Sequence, residues 1–478
     1  MELDGLARKG YFDEYKVELL IREAPFQYEL FKTEIQNSKI EQLEIIDTIE
    51  QKFHLLNASS LGNQVHFQNV NLIPVQRWFP YREGYSVKLV NSFIKELNIK
   101  GNVFDPFCGS GTTLLSSRLN NLDSFGIDVN PISVLVSKVE NENYSMEDIE
   151  RLRYEIKILE SLENSNYNLT TLFDLADRIF NKEILHSLLQ FRKHIEKIDS
   201  NKIRSLIFAS WLSIIEKVSN IKKEGNGIKY KNRKRTSNGY ININRENWER
   251  EVFPDNKFSF VKNKLIAKLN TILNDLLKSY GNNLNIPKIF QGDCLEFDKF
   301  INNEIDFTFF SPPYCNCFDY FEIHKVELWL GDYVSSKEEF RTLRSKGFRS
   351  NLNSLNHKPI VYRHRILEKL IGLFDTERLW NAKIPTVVRG YFDDVYSLLH
   401  KLYMQTSKNG FIGIVVGNSA YSEVIIPTDI LIADIAQELG FKVKCILITR
   451  HLTTSSQQKQ QLEALKKYLR ESIIILEK

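Results

Sequence analysis

The sequence predicts an α/β fold built around a largely parallel sheet. Short apolar strands alternate with helical segments over residues 102–139, a pattern typical of parallel βαβ units. The alternation stops over residues 140–284, where apolar side chains recur at helical spacing, and it resumes at Lys288. We therefore predict an α/β core that is interrupted by a large helical insertion.

Length and composition are those of a globular protein. The chain has 478 residues, of which 42% are hydrophobic and 26% charged, enough for about two or three domains with ample cores. No apolar run reaches the roughly 18 residues of a membrane span, and the N-terminus lacks a signal pattern. Five cysteines do not suggest a disulfide framework, so we expect a protein of the reducing cytoplasm that does not bind membranes.

Cys315 and Cys317 are close enough in sequence to raise the question of a metal site. Four ligands are usual for a structural zinc ion, and no second cysteine pair or histidine cluster in the sequence supplies the others. We therefore predict no metal.

A glycine turn follows the first predicted strand of the core. Residues 102–113 read Asn-Val-Phe-Asp-Pro-Phe-Cys-Gly-Ser-Gly-Thr-Thr, and a helical pattern follows. Gly109 and Gly111 let the backbone approach a ligand closely, and the helix N-terminus presents free N–H groups. The pair lacks the spacing of a phosphate-binding lysine loop or a full dinucleotide fingerprint. Asp128 ends the next strand, where a carboxylate can bind a ribose diol.

A second loop follows the strand predicted at residues 305–308 and reads Ser311-Pro312-Pro313-Tyr314. Two consecutive prolines hold the chain extended and remove two backbone donors. A serine hydroxyl and an unpaired carbonyl beside an aromatic ring can accept hydrogen bonds from the amino group of a stacked base. A Pro-Pro pair alone is common in ordinary loops, so this interpretation depends on the glycine turn as well.

Together the two loops resemble those of DNA N4-cytosine/N6-adenine amino-methyltransferases, which use S-adenosylmethionine. Residues 105–112 resemble the cofactor loop of that family, and residues 311–314 resemble its catalytic tetrapeptide in the serine form typical of N4-cytosine enzymes. The resemblance implies a seven-stranded, doubly wound, Rossmann-like sheet and methyl transfer to cytosine N4 in duplex DNA, with base flipping. It also implies a restriction-modification or phage-defence setting, with a cognate restriction endonuclease or another defence-system protein as partner.

The resemblance assigns roles to individual residues. The expected catalytic residues are Ser311, Pro312, Pro313 and Tyr314. The expected cofactor residues are Asp105, Phe107, Gly109, Gly111, Thr112, Asp128 on the ribose, Asp293 on the adenine, and Phe79 from the aromatic segment 77–85.

Two basic stretches, residues 217–235 and 335–365, stand out from a nearly neutral chain of net charge +4. Such stretches suit a groove that contacts phosphates, although a solvated lysine-rich surface explains either of them equally well. The expected nucleic-acid contacts are Lys229, Lys231, Arg233, Lys234, Arg235, Arg341, Arg344 and Arg349. Target recognition would lie in the insertion, in the second stretch, or in both.

We predict four regions along the chain. They are an N-terminal helical region of unknown role (1–70), the first part of the methyltransferase domain (71–140), a mainly helical insertion (141–285) and the second part of that domain (286–478). The segment 225–235 is expected to be a flexible basic loop. In the last region we expect helices at 318–330 and 367–399, the latter broken at Pro385, and an antiparallel edge hairpin at the C-terminus.

Several other functions compete with this interpretation. An N6-adenine enzyme would use the same mechanism, and an RNA guanine-N2 or ribosomal-RNA methyltransferase is a further alternative. A non-catalytic nucleic-acid-binding module would not need both loops intact. A fused nuclease is not supported, because residues 1–70 lack a convincing carboxylate–carboxylate–lysine cluster. A C5-cytosine mechanism is not expected, because Cys315 follows Tyr314 and not the Pro-Pro pair.

Overall fold

The computed structural model describes residues 37–65, 73–81, 84–165, 171, 173–225, 227–236, 239–279, 284–355, 358–452 and 463–478. The predicted N-terminal region (1–70) therefore lies partly outside the described residues.

The core is a mostly parallel sheet of eight strands. These are β1 (Leu55–Asn57), β2 (Val103–Asp105), β3 (Ser124–Asp128), β8 (Lys288–Gln291), β9 (Ile305–Phe310), β10 (Thr406–Gly417), β13 (Lys442–His451) and β14 (Arg470–Glu477). Their order across the sheet is β1-β13-β14-β10-β9-β2-β3-β8. Within this sheet only β14 runs antiparallel to its neighbours, β10 and β13. The predicted α/β fold with a largely parallel sheet is confirmed.

The predicted count of seven strands is one too low. The additional strand β1 comes from the region predicted to be helical, and it pairs in parallel with β13 through Leu55 and Ile446. The C-terminal strands β13 and β14 do form an antiparallel pair, but β1 covers β13, so that pair does not lie at the edge of the sheet. A three-residue strand has too short a periodic pattern to be recognised in a sequence.

Helices pack on both faces of the sheet, because its central strands are apolar on both faces. On β9, Phe309 packs against Phe93 of one helical layer, with ring centroids 5.3 Å apart, and Phe310 belongs to the apolar cluster of the opposite layer. The helices outside the insertion are α1 (Asn37–Glu50), α2 (Gly62–Val65), α3 (Val87–Glu96), α4 (Thr112–Leu119), α5 (Pro131–Glu140), α12 (Tyr320–Ile323), α13 (Lys325–Leu330), α14 (Lys337–Ser345), α15 (Arg365–Gly372), α16 (Ile384–Gln405) and α17 (Thr428–Glu438). None of the described helices is long and apolar enough to cross a membrane.

The segment between β3 and β8 contributes most of a second apolar core, which residues outside the segment such as Phe79 and Leu328 complete. After α5, its helices are α6 (Met146–Ser161), α7 (Ala176–Ile179), α8 (Lys182–Ile195), α9 (Asn201–Ser213), α10 (Arg245–Val252) and α11 (Lys257–Ser279). Trp211 is fully buried there, and its indole N–H donates to the Leu188 carbonyl at 3.0 Å. The described part of the insertion is therefore mainly helical.

The prediction of a flexible loop at 225–235 is wrong. Two antiparallel hairpins form there, one from β4 (Ile221–Glu224) and β5 (Gly227–Tyr230), the other from β6 (Arg233–Thr236) and β7 (Gly239–Asn242). Gly225 and Gly239 have positive φ angles of 58° and 120°, which glycine adopts readily in turns. Buried and exposed residues alternate along β4, with Ile221 and Lys223 buried. Because one buried residue is a lysine, the sequence does not show the alternation of apolar and polar residues that is typical of a strand.

A small hairpin after β10 supports the segment that follows the Ser-Pro-Pro-Tyr loop. Its antiparallel strands are β11 (Ser419–Tyr421) and β12 (Val424–Ile426). The Tyr421 hydroxyl donates to the carbonyl of the buried residue Cys315 at 2.9 Å, and it lies 3.5 Å from the Cys317 sulfur. Both cysteines thus contact one tyrosine of this hairpin.

Two predicted helices are each split in the structure. Residues 318–330 contain α12 and α13, which are separated at His324, and residues 367–399 contribute to α15 and α16. Pro385 lies in the first turn of α16. Backbone N–H groups in the first turn have no intrahelical acceptor, so the absence of an N–H on proline costs no hydrogen bond. The proline therefore begins a helix here instead of breaking one.

The sheet also decides where a ligand can bind. In a doubly wound sheet the usual place is the crevice outside the carboxyl ends of the strands. In this chain β2, β3, β8 and β9 are parallel neighbours and all end at that edge.

Candidate active site

A cavity, which we call the first cavity, lies at the carboxyl ends of these four strands. Asp105 ends β2, Asp128 ends β3, Asp293 follows β8 and Ser311 follows β9, and all four residues line it. The other predicted cofactor residues that line it are Phe107, Gly109 and Thr112. Residues distant in the sequence meet here because parallel strands end at one edge.

The glycine turn shapes the wall of the first cavity. Gly109 (φ 50°) lines the cavity, and a Cβ atom there would lie 3.1 Å from the Tyr81 ring. Gly111 (φ 85°) is the N-cap of α4, and a Cβ atom there would lie 2.4 Å from the Ser137 hydroxyl oxygen. Gly109 therefore lies at the surface of the cavity, whereas Gly111 allows the turn to pack against α5.

Two carboxyls of the first cavity, the buried Asp105 and the half-buried Asp128, have raised pKa values. Asp105 is 1% exposed, and burial raises the pKa of its carboxyl to about 7, although the Phe107 N–H (3.0 Å) and the Tyr85 hydroxyl (3.2 Å) donate to it. Burial raises the pKa of Asp128 to about 6, although the Gly109 N–H donates to it at 3.0 Å. A cationic ligand would favour the ionised form of both groups.

Proton binding to Asp105 should weaken the affinity for a cationic cofactor. Because its pKa is about 7, the carboxyl is mostly ionised at pH 8 and mostly protonated at pH 6. We expect the affinity for S-adenosylmethionine to fall roughly tenfold from pH 8 to pH 6, measured by calorimetric titration. Asp105→Asn is the control, since it should remove most of this dependence. A wild-type affinity that stays constant over this range would contradict the role of Asp105.

Another part of the first cavity combines Asp293 with an aromatic wall. The Asp293 carboxylate accepts from the Leu295 N–H at 2.9 Å and from the Lys358 ammonium at 3.3 Å. The Phe107 and Phe348 rings meet edge to face, with centroids 5.3 Å apart, and both residues line the cavity. An acceptor beside flat apolar surfaces suits a heteroaromatic ring.

The aromatic segment before the glycine turn contributes residues other than the one predicted. Phe79 is 2% exposed, packs near His324 with ring centroids 6.2 Å apart, and is not among the residues that line the first cavity. Tyr81 and Tyr85 line it instead. The Tyr85 hydroxyl lies 3.2 Å from both Asp105 and the Phe309 carbonyl. The sequence indicates the segment but not which of its rings faces the cavity.

A second cavity adjoins the first on the side of the Ser-Pro-Pro-Tyr loop. It is lined by Tyr314, by Glu471 of β14 and by the turn of the first hairpin of the insertion. Pro313 lines the first cavity, whereas Pro312 is buried and is not among the lining residues of either. The residues common to both cavities are Gly84, Tyr85, Ser311 and Tyr320. Ser311 thus lies where the two cavities meet.

Tyr314 is held at the wall of the second cavity by β14 and β10. Its hydroxyl donates to the Glu471 carboxylate at 2.7 Å, and a Cβ atom at Gly417 would lie 2.8 Å from its ring. Burial, together with Glu471, raises the pKa of the Tyr314 hydroxyl well above its ordinary value. The phenol therefore stays protonated as a donor, with its ring fixed by packing.

The predicted nucleic-acid contacts fall into separate groups. The group in the insertion, on the two hairpins or between them, is Lys229, Lys231, Arg233, Lys234 and Arg235. Arg341 is exposed on α14, with its guanidinium 3.8 Å from Glu338. Arg344 is mostly buried and donates to Asp319 at 2.8 Å, so its charge is partly used within the protein.

Arg349 lies inside the protein and does not present its charge to solvent. It is 3% exposed and forms ion pairs at 2.5 Å with Asp393 and Asp394. A guanidinium in that position cannot reach a phosphate, so the structure does not support the prediction that Arg349 contacts nucleic acid. The sequence offers no sign of this, because the two acids lie more than 40 positions away.

Substitution of Arg349 should therefore affect stability. Arg349→Ala leaves the Asp393 and Asp394 carboxylates buried without their cation, a change that typically costs about 3–5 kcal/mol. We expect the free energy of unfolding to fall by an amount of this order, measured by urea denaturation. Arg341→Ala is the matched control, because that side chain is 76% exposed and should change stability little. Equal effects of the two substitutions would contradict the structural role of Arg349.

Comparison with known proteins gives relatives of one kind. The chain is 26% identical to the type II methyltransferase M.BsoBI of Geobacillus stearothermophilus over 496 aligned residues, which cover 95% of this chain and 94% of the relative. It is also 26% identical to the type II methyltransferase M.AvaI of Nostoc sp., over 84% of this chain and 86% of that protein. A shorter match, 29% identical over 125 residues, relates it to the type II methyltransferase M.MvaI of Kocuria varians, over 25% of this chain and 28% of that protein.

No protein-family model matches the chain. The similarity to M.BsoBI nevertheless covers nearly the whole length of both proteins, so it includes the sheet as well as the insertion and is not confined to one motif. Over most of its length the chain is therefore similar to type II methyltransferases.

Proposed function

We propose that the protein transfers a methyl group from S-adenosylmethionine to the exocyclic N4 amine of cytosine in duplex DNA. The observation that carries the proposal is the position of Ser311, which lines both cavities. A hydroxyl at that junction can contact an acceptor base in the second cavity close to a methyl donor in the first. The names of the type II methyltransferase relatives support the same reaction class.

The residues of the first cavity fit S-adenosylmethionine, whose sulfonium supplies an electrophilic methyl group. Asp105 and the Gly109 backbone would hold the methionine portion, Asp128 the ribose diol and Asp293 the adenine amine. The chemistry of this set supports the assignment, because three acceptor carboxyls face a cavity suited to a cationic ligand rich in donors. A Cβ atom at Gly109 would lie 3.1 Å from the Tyr81 ring, so a side chain at that wall would require the ring to shift.

The residues of the Ser-Pro-Pro-Tyr loop would activate the amine. The lone pair of the cytosine amine is delocalised into the ring, so the nitrogen is a poor nucleophile. The Ser311 hydroxyl would accept one of its two hydrogens and favour a pyramidal nitrogen. Pro312, the second acceptor expected from the sequence, lines neither cavity, so its carbonyl is not part of this proposal. Acceptors that interact most strongly in the transition state raise the rate of the chemical step. Tyr314 would pack against the base.

The reaction requires base flipping. The amine of a paired cytosine lies inside the double helix, so the base must leave the stack to reach Ser311, at a cost of roughly a few kcal/mol. The serine at the first position of the tetrapeptide supports cytosine over adenine, through its resemblance to N4-cytosine enzymes. We further propose a cytoplasmic role in restriction-modification, with a cognate endonuclease as functional partner.

Label transfer tests the reaction class. Purified protein would be incubated with S-adenosylmethionine labelled in its methyl group and with either unmethylated duplex DNA or structured RNA. We expect label in the DNA. Label in RNA alone, or in neither polymer, would contradict the proposal. Treated DNA that becomes resistant to one endonuclease from a panel would support the restriction-modification role.

A further inference from the structure

The first hairpin of the insertion forms part of the second cavity. Lys223, Glu224 and Gly225 at its turn line that cavity together with Ser311. The Lys223 ammonium forms an ion pair at 2.6 Å with Glu327 of α13, and the two side chains are only 5% and 3% exposed. This contact fixes the insertion to the segment that follows the catalytic loop.

The second hairpin is exposed to solvent. Every residue of β7 is exposed, including the large side chains of Tyr240 (50%) and Ile241 (58%). The Arg233 guanidinium lies 4.4 Å from the centroid of the Tyr240 ring, and Lys234 beside it is exposed. Core packing does not account for this combination of apolar and cationic groups on a two-stranded ribbon.

A network of amide groups joins the two hairpins. The side chains of Asn220 and Asn232 bond to each other at 3.0 Å, and the Asn232 N–H donates to Asn220 at 3.1 Å. Asn232 also exchanges two hydrogen bonds with Ile243, at 2.8 and 3.0 Å. Since Asn220 precedes the first hairpin and Ile243 follows the second, this network fixes the two hairpins relative to each other.

Lys231 belongs to the same junction. Its ammonium donates to the main-chain carbonyls of Glu216 and Ser219, the latter at 2.8 Å. Its charge is therefore directed into the protein, in contrast to the exposed side chains of Arg233 and Lys234. Of the predicted nucleic-acid contacts in this part of the chain, Lys231 therefore belongs to the junction between the hairpins. Arg233 and Lys234 belong to the exposed second hairpin.

We propose that β4–β7 form one DNA-reading arm, in which the first hairpin closes the second cavity around the flipped base and the second hairpin lies in the groove of the adjoining duplex. The inference rests on the proposed function and identifies the part of the chain that reads the target. The major groove admits a two-stranded β-ribbon. Arg233 and Lys234 complement the charge of the phosphates. Tyr240 and Ile241 point to opposite faces of the ribbon, so one of them would contact base edges and the other the wall of the groove.

The arm can be tested in the full-length protein with a double substitution, Arg233→Ala with Lys234→Ala. The matched control is Lys408→Ala with Lys442→Ala, which removes two exposed lysines near the starts of β10 and β13, at the edge of the sheet opposite Ser311. Binding to a duplex that the wild-type protein methylates would be measured by fluorescence anisotropy at several salt concentrations. Affinity for S-adenosylmethionine would report whether each variant is folded.

We expect the arm variant to bind the duplex with an affinity lower by about tenfold or more. The slope of log affinity against log salt concentration should become shallower by about 2. Its cofactor affinity should not change, and the control should match the wild type. A second pair, Tyr240→Ala with Ile241→Ala, should relax the set of sequences methylated, as read by modified-base sequencing.

Two outcomes separate the arm from the proposed function. If the wild type methylates DNA but both arm variants behave like the control, the proposal that β4–β7 read DNA is wrong and the proposed function stands. If the wild type methylates no DNA, the proposed function and the arm are both wrong.

Discussion

Ser311→Ala should reduce turnover by roughly 10²–10³-fold while leaving the affinity for S-adenosylmethionine nearly unchanged. The hydroxyl lies where the two cavities meet. Under the proposed function, the substitution removes a hydrogen-bonding group that acts mainly in the transition state. Losing one such group typically costs a factor of this size. The measurement is single-turnover methyl transfer to DNA, with cofactor affinity determined separately.

A serine remote from both cavities provides the control. The Ser336 hydroxyl accepts from the Glu339 N–H at the start of α14, and this serine is not among the lining residues of either cavity. Ser336→Ala should lower stability slightly and leave turnover intact. Wild-type turnover in Ser311→Ala would show that another group accepts the amine hydrogens.

Asp105→Asn should weaken binding of S-adenosylmethionine by about 10–100-fold at pH 8. The substitution keeps the shape of the side chain but removes the charge, and hydrogen bonds to charged groups contribute about 1.5–3 kcal/mol. Binding would be measured by calorimetric titration in the absence of DNA, so that effects on methyl transfer do not enter. An unchanged affinity would contradict the placement of the cofactor beside Asp105.

The same variant should be more stable than the wild type when no ligand is bound. The pKa of Asp105 rises from 3.8 to about 7 on folding, so the ionised carboxyl destabilises the folded protein as pH increases through that interval. We therefore expect Asp105→Asn to raise the melting temperature at pH 8 more than at pH 5. Weaker cofactor binding together with a higher melting temperature distinguishes the loss of a ligand contact from misfolding, because a misfolded variant would be less stable.

Much of the site can be predicted from the sequence because its parts are local. The glycine turn and the Ser-Pro-Pro-Tyr loop each occupy consecutive residues after an apolar strand, and parallel strands bring such loops to one edge. The lining of the first cavity by Asp105, Asp128 and Asp293 follows from that rule. Pattern and topology together are sufficient for this half of the site.

The other features depend on contacts between distant residues. The buried partners of Arg349 are Asp393 and Asp394, and Tyr314 bonds to Glu471, more than 150 positions away. No local pattern indicates such pairs, so a basic stretch does not reveal which of its cations is buried. The hairpins β4–β7 escape sequence-based prediction for a related reason, since Lys223 is buried by an ion pair with a residue about 100 positions later.

The identity of the methylated base is the most direct test. DNA incubated with the wild-type protein and S-adenosylmethionine would be digested to nucleosides and analysed by mass spectrometry, with Ser311→Ala as the negative control. We expect N4-methylcytosine, and roughly a hundredfold or more less of it in DNA treated with the variant over the same short time. N6-methyladenine as the product, or no methylated nucleoside at all, would contradict the proposal that Ser311 activates the cytosine amine.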